Sequence, residues 1–111
     1  MFMTVLVLDD PQRLQEVLAA WEKAGITGVT IFESTGMRRV RQRYIPMRYV
    51  SPLVDREVDH ITLMAIVPDE ERAQTVLRIA EGVIGDLSEP HTGIFAAWPI
   101  TMVKGFRTED C

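Results

Sequence analysis

The sequence predicts a small α+β domain with elements in the order β-α-β-β-α-β, on three observations. Four apolar runs of strand length are rich in β-branched and aromatic residues, and two longer stretches repeat apolar residues at helical spacing. Each helical stretch is introduced by an aspartate beside a proline. At 111 residues the chain suffices for one hydrophobic core and is short for two, so residues 1–111 are read as a single domain.

Phe2 to Leu8 is the first strand; it stops at Asp9-Asp10-Pro11, where Asp10 suits a helix N-cap and Pro11 the first helical position. Leu14, Val17, Leu18 and Trp21 then mark one buried helical face, with Trp21 in the core, until Gly25 ends the helix. Gly28 to Ser34 has the composition of a second strand. Between Thr35 and Asp59 neither periodicity persists, and Pro46 and Pro52 interrupt the segment, so residues 35–58 are expected to be a long excursion from the sheet. His60 to Val67 is a third, almost continuously apolar strand. Pro68 and Asp69 open a second helix whose first turn carries Glu70 and Glu71 at the positive end of the helix dipole. Ala73, Val76, Leu77, Ala80 and Ile84 mark its buried face, and Gly82, Gly85 and Pro90 weaken and finish it. Gly93 to Trp98 reads as the fourth strand, Ile100 to Val103 as a short extra strand, and 107–111 as a mobile tail.

Two β-α-β halves with right-handed crossovers interleave into a four-stranded antiparallel sheet with both helices on one face, the ferredoxin-like sandwich. Here it carries a long loop between strands 2 and 3 and the extra C-terminal strand. The helices cover one face only, yet the first strand is apolar at both parities: Met3, Val5 and Val7 as well as Phe2, Leu6 and Leu8. A second face of that kind is larger than soluble monomers ordinarily expose, so self-association through the sheets is expected.

Composition excludes several classes. Apolar residues make up 47% and charged residues 25%, a globular balance rather than a disordered one. A net charge of −4 and a pI near 5.1 give no basic field for nucleic acid or an anionic membrane. No apolar stretch approaches the roughly 20 residues that cross a bilayer and no charged leader opens the chain, so a cytoplasmic protein is expected. Cys111, the one cysteine, has no intrachain partner and is read as incidental.

Three stretches carry a family resemblance. Gly25-Ile26-Thr27-Gly28-Val29-Thr30 is followed by Gly36, Arg38 and Arg39; Ile66-Val67-Pro68-Asp69 and Gly93-Ile94-Phe95 come later in the same order. Over about residues 3 to 108 the chain resembles the nitrogen regulatory PII signal-transduction proteins and their PII-like relatives. The resemblance implies a homotrimer with clefts between subunits that hold an adenine nucleotide, and a T-loop that docks on a target protein such as a transporter or enzyme. On it, the ligand contacts are Gly28, Val29, Thr30, Gly36, Arg38, Arg39, His91, Thr92, Gly93, Lys104 and Arg107. The chain departs from the family at the phosphate loop, where Pro90-His91-Thr92-Gly93 contains no lysine. Arg38 also stands in place of a glycine and Phe106 in place of an arginine. A lost charge-assisted contact costs about 1.5 to 3 kcal/mol, so a ligand smaller than a triphosphate, or differently charged, is expected.

Residue chemistry alone singles out the segment from Gly36 to Val50, which holds five arginines and no acidic residue. Arg41, Arg43, Tyr44, Arg48 and Tyr49 are the candidate partner contacts, since guanidinium forks pair with carboxylate or phosphate and tyrosines add amphipathic surface. The same arginines also fit a solvated loop. His60 and His91 have no neighbours at metal-ligand spacing, and His60 is read as a strand-edge residue. Ser34 and Ser51 lack a nucleophile motif, and Glu33 and Asp55 have no partner pattern, so no catalytic residue is assigned. The expected function is a regulatory binding protein, not an enzyme, that signals through residues 36–58. A trimeric metal- or ion-tolerance protein and a structural assembly subunit are the alternatives.

Overall fold

The computed structural model describes residues 1–34, 60–90 and 92–106. The expected excursion at 35–58, His91 and the tail 107–111 lie outside the described residues. Strand β1 (Phe2–Leu8) leads through a 3₁₀ turn (Pro11–Arg13) into helix α1 (Leu14–Lys23). β2 (Val29–Ser34), β3 (His60–Val67), α2 (Glu70–Ile84) and β4 (Gly93–Pro99) follow. The four strands form one antiparallel sheet in the order β2-β3-β1-β4, the ferredoxin-like arrangement.

Local chemistry fixes the element ends. The Asp10 carboxylate accepts the Gln12 N–H at 3.0 Å and Pro11 takes the first position of the turn. Gly25, at φ 84°, lets the chain reverse after α1 while its N–H donates to the Glu22 carbonyl and that of Ile26 to the Trp21 carbonyl. Asp69 caps α2 by accepting the Arg72 N–H at 2.8 Å, and the Arg72 guanidinium donates to the Ala24 carbonyl at 3.1 Å beyond the end of α1. A cation there satisfies a helix-end acceptor and opposes the negative end of the α1 dipole.

The core lies between the sheet and the helices. Leu6, Leu8, Ile61, Leu63, Ala65 and Val67 come from the sheet, with Val17 and Trp21 from α1 and Ala73, Val76 and Ala80 from α2. Cross-strand pairing sets this face, with Leu6 opposite Leu63 and Leu8 opposite Ile61. The two polar atoms most exposed to desolvation here are accounted for: the Trp21 indole N–H donates to the Val76 carbonyl at 3.1 Å, and the Thr4 hydroxyl to the Ala65 carbonyl at 2.8 Å.

The other sheet face carries Met3, Val5 and Val7 of β1, Met64 and Ile66 of β3, Phe32 of β2, and Ile94, Ala96 and Trp98 of β4. Ile94 is 66% exposed and Trp98 and Phe32 are exposed on the same face, so the two-sided apolar pattern of the sequence becomes an apolar surface on the described chain.

One element differs from expectation. Ile100 to Val103 forms no strand. These residues follow β4 beyond its last pairing with β1, Phe2 with Pro99, and make no ladder with the open edge of β2 or β4. The Ile100 N–H instead donates to the Met1 carbonyl at 2.9 Å, which holds the following segment along the end of the sheet.

Candidate functional site

That segment builds one wall of a groove of about 420 Å³. Its other wall is the entry to β2, Thr27 to Thr30, and its floor is Met3, Met64 and Ile66 at the same end of the sheet. The Val29 N–H donates to the Thr27 carbonyl at 2.9 Å, a tight turn that presents the Thr27 and Thr30 side chains outward. Val103, Lys104, Gly105 and Phe106 close the groove on the far side, and Lys104 is the one cationic side chain lining it among the described residues. An apolar floor with a few hydroxyls and one ammonium suits a planar or apolar body carrying a single anionic group.

Of the residues expected to meet a ligand, Gly28, Val29, Thr30 and Lys104 are brought together here. Thr92 and Gly93 are not. Gly93 pairs with Leu8 at the far end of β1 and on the β4 edge, whereas Val29 pairs with Ala65, opposite Thr4, on the β2 edge. Three strand spacings across and four residues along separate these corners by roughly 20 Å. A single chain cannot close both around one small molecule. Gly36, Arg38, Arg39, His91, Arg107 and the partner candidates Arg41, Arg43, Tyr44, Arg48 and Tyr49 lie outside the described residues.

At the Gly93 corner the turn between α2 and β4 borders a second hollow, floored by Leu77, Leu87, Ile94 and Phe95. Glu81 reaches forward to accept the Leu87 N–H at 2.9 Å. Asp86 accepts both the Ser88 hydroxyl at 2.7 Å and the Ser88 N–H at 2.9 Å. Those hydrogen bonds, the hydroxyl's first, hold the Asp86 carboxyl below its ordinary range. Gly93 has a structural requirement of its own: its φ is 144°, and a Cβ there would sit 2.2 Å from the Val7 carbonyl oxygen. Met64, Ile66 and Phe106 carry no groove signal in the sequence, because only the register and the path of the C-terminal segment place them there.

His60 stands at the start of β3 with its Nε2 3.1 Å from the Asp9 carboxylate, consistent with a strand-edge position. Among the described residues no cluster of three or more His, Cys, Asp or Glu could hold a metal ion, and no helix is long and apolar enough to cross a membrane.

No protein-family model matches the chain, and no curated protein sequence matches it. Among solved structures it is similar to the crystal structure of Arabidopsis thaliana PII bound to citrate, with a TM-score of 0.60 and 19% sequence identity over 89% of this chain and 76% of that one. The likeness is one of fold: the chain has a PII-like ferredoxin fold.

Proposed function

We propose that the protein is a PII-like regulator, not an enzyme, that works as a cytoplasmic homotrimer. Its apolar sheet faces meet one another, and each cleft between neighbours joins the Thr30–Lys104 groove of one copy to the Thr92–Gly93 corner of the next. The effector is a small molecule, with an adenine nucleotide as the first candidate, and residues 36–58 pass its presence to a partner protein. An effector acts in this way only by favouring one state of that segment over another.

One observation carries the reading: the expected ligand contacts split between diagonally opposite corners of a sheet whose uncovered face is apolar. A second copy resolves both facts at once, burying the face and supplying the missing corner. The citrate named with the Arabidopsis protein supports an anionic group as part of the ligand, and Lys104 is the described side chain suited to meet it.

The test combines native mass with calorimetric titration of ATP, ADP, AMP, adenosine, citrate and divalent transition metals. A trimer that binds one of the organic ligands, with binding weakened at least about tenfold in Lys104→Ala, supports the reading. Ile94→Asp leaves the isolated fold intact, because that side chain is 66% exposed, and should break the trimer into monomers. A wild-type monomer at micromolar concentration refutes the assembly. Binding of a transition metal and of no organic ligand refutes the regulator in favour of the metal-tolerance alternative.

A further inference from the structure

The α2–β4 turn is chemically unlike a phosphate cradle. Such a cradle aims free backbone N–H groups at the anion and carries a cation beside them. Here the N–H of Gly85 donates to the Glu81 carbonyl at 2.9 Å, that of Leu87 to the Glu81 carboxylate, that of Ser88 to the Asp86 carboxylate, and that of Glu89 to the Asp86 carbonyl at 3.0 Å. Pro90 has no N–H to offer. The Thr92 hydroxyl is turned inward as well, donating to the Glu89 carbonyl at 2.8 Å. Charge points the same way: Glu81, Asp86 and Glu89 crowd the turn, and no lysine or arginine occurs between residues 79 and 103. Asp86, with its carboxyl held below the ordinary range, is an anion throughout the neutral region.

We infer that Glu81 and Asp86 set the charge of the ligand this protein accepts, by facing the hollow of the turn with two carboxylates, so that phosphoryl groups are turned away. The cleft then takes molecules with no more than one phosphoryl group, placed at Lys104: a nucleoside or nucleoside monophosphate over a triphosphate. That second statement rests on the assembly proposed above; the character of the turn does not.

The experiment follows backbone amides of the full chain by NMR during titration with sodium tripolyphosphate at low salt, in the wild type, in Asp86→Asn and in Glu81→Gln/Asp86→Asn. The amides keep hydrogen-bond acceptors of the same shape and delete only charge. In the wild type the resonances of 85–89 stay in place; the double variant gains saturable shifts with a dissociation constant lower by at least about tenfold, and Asp86→Asn falls between. Saturation of the wild-type turn at the concentration that saturates the double variant overturns the inference, and so does a double variant that stays blank with native amide dispersion. Adenosine, AMP and ATP are titrated in parallel and read at Thr30 and Lys104. ATP binding as tightly as AMP overturns the ligand class. Silence at Thr30 and Lys104 for all three, with the turn responding as expected, refutes the nucleotide cleft and leaves the assignment of the turn standing.

Discussion

Replacing Gly93 by alanine puts a methyl group where the β1 backbone already is. The new Cβ would lie 2.2 Å from the Val7 carbonyl oxygen and 3.4 Å from its carbon, and the backbone φ of 144° is one that side-chain-bearing residues rarely adopt. The conformational term is about 1–3 kcal/mol. Relief of the clash needs either chain to move, and β1 has nowhere to go, since Val7 is paired with Thr62 on one side and Ile94 on the other. Losing the last rung of the β1–β4 ladder adds about 1 kcal/mol, for a total of about 2–4 kcal/mol from a domain stability of order 5–15 kcal/mol. In contrast, Gly82 lies inside α2 with nothing within 4 Å of an added Cβ, so Gly82→Ala should stabilise by about 0.5–1 kcal/mol. Thermal unfolding at one fixed protein concentration, followed by the fluorescence of buried Trp21, reads both. Gly93→Ala should lower the melting temperature by at least about 8 °C while Gly82→Ala raises it. A Gly93→Ala midpoint equal to that of the wild type would show that the corner is not constrained by β1 in the manner described.

Trp21→Phe removes an indole N–H that donates to the Val76 carbonyl and part of a ring only 1% exposed, so it should cost about 2–3 kcal/mol, read by circular dichroism during denaturant unfolding. Ser88→Ala removes the largest contribution to the lowered Asp86 pKa, and NMR titration of the carboxyl should show it rising part of the way back towards 3.8. Because the folded pKa lies below that of the unfolded chain, the stability Asp86 contributes is present above pH 3.8 and fades as pH falls through the folded value. The difference between Ser88→Ala and wild type should therefore exist at pH 7 and shrink in acid; a difference that grows on acidification would contradict the sign.

The sheet and helices were legible because their boundaries are written in local chemistry. Asp10-Pro11 and Pro68-Asp69 bracket the helices, and β3 runs from His60 to Val67 as its composition predicts. Ile100 to Val103 has strand-like composition too, but composition reports what a residue tolerates, whereas a strand needs a neighbour in register, and the β1–β4 pairing ends at Phe2 and Pro99. The ligand candidates divided for the same reason. Gly28 to Thr30 and Lys104 converge through the Met1–Ile100 hydrogen bond, while the distance to Gly93 depends on the register of three strand pairs. The capping of Leu87 by Glu81, six residues back, follows no helical or alternating spacing and was not readable from sequence.

The diagonal placement of the Lys104 and Gly93 corners makes mixed oligomers informative. In a closed ring each subunit would lend one corner to the neighbour on its left and the other to the neighbour on its right. A chain disabled only at the groove and a chain disabled only at the turn, each inactive alone, would then restore an intact junction when co-assembled, and counting such junctions would reveal the order of subunits around the ring.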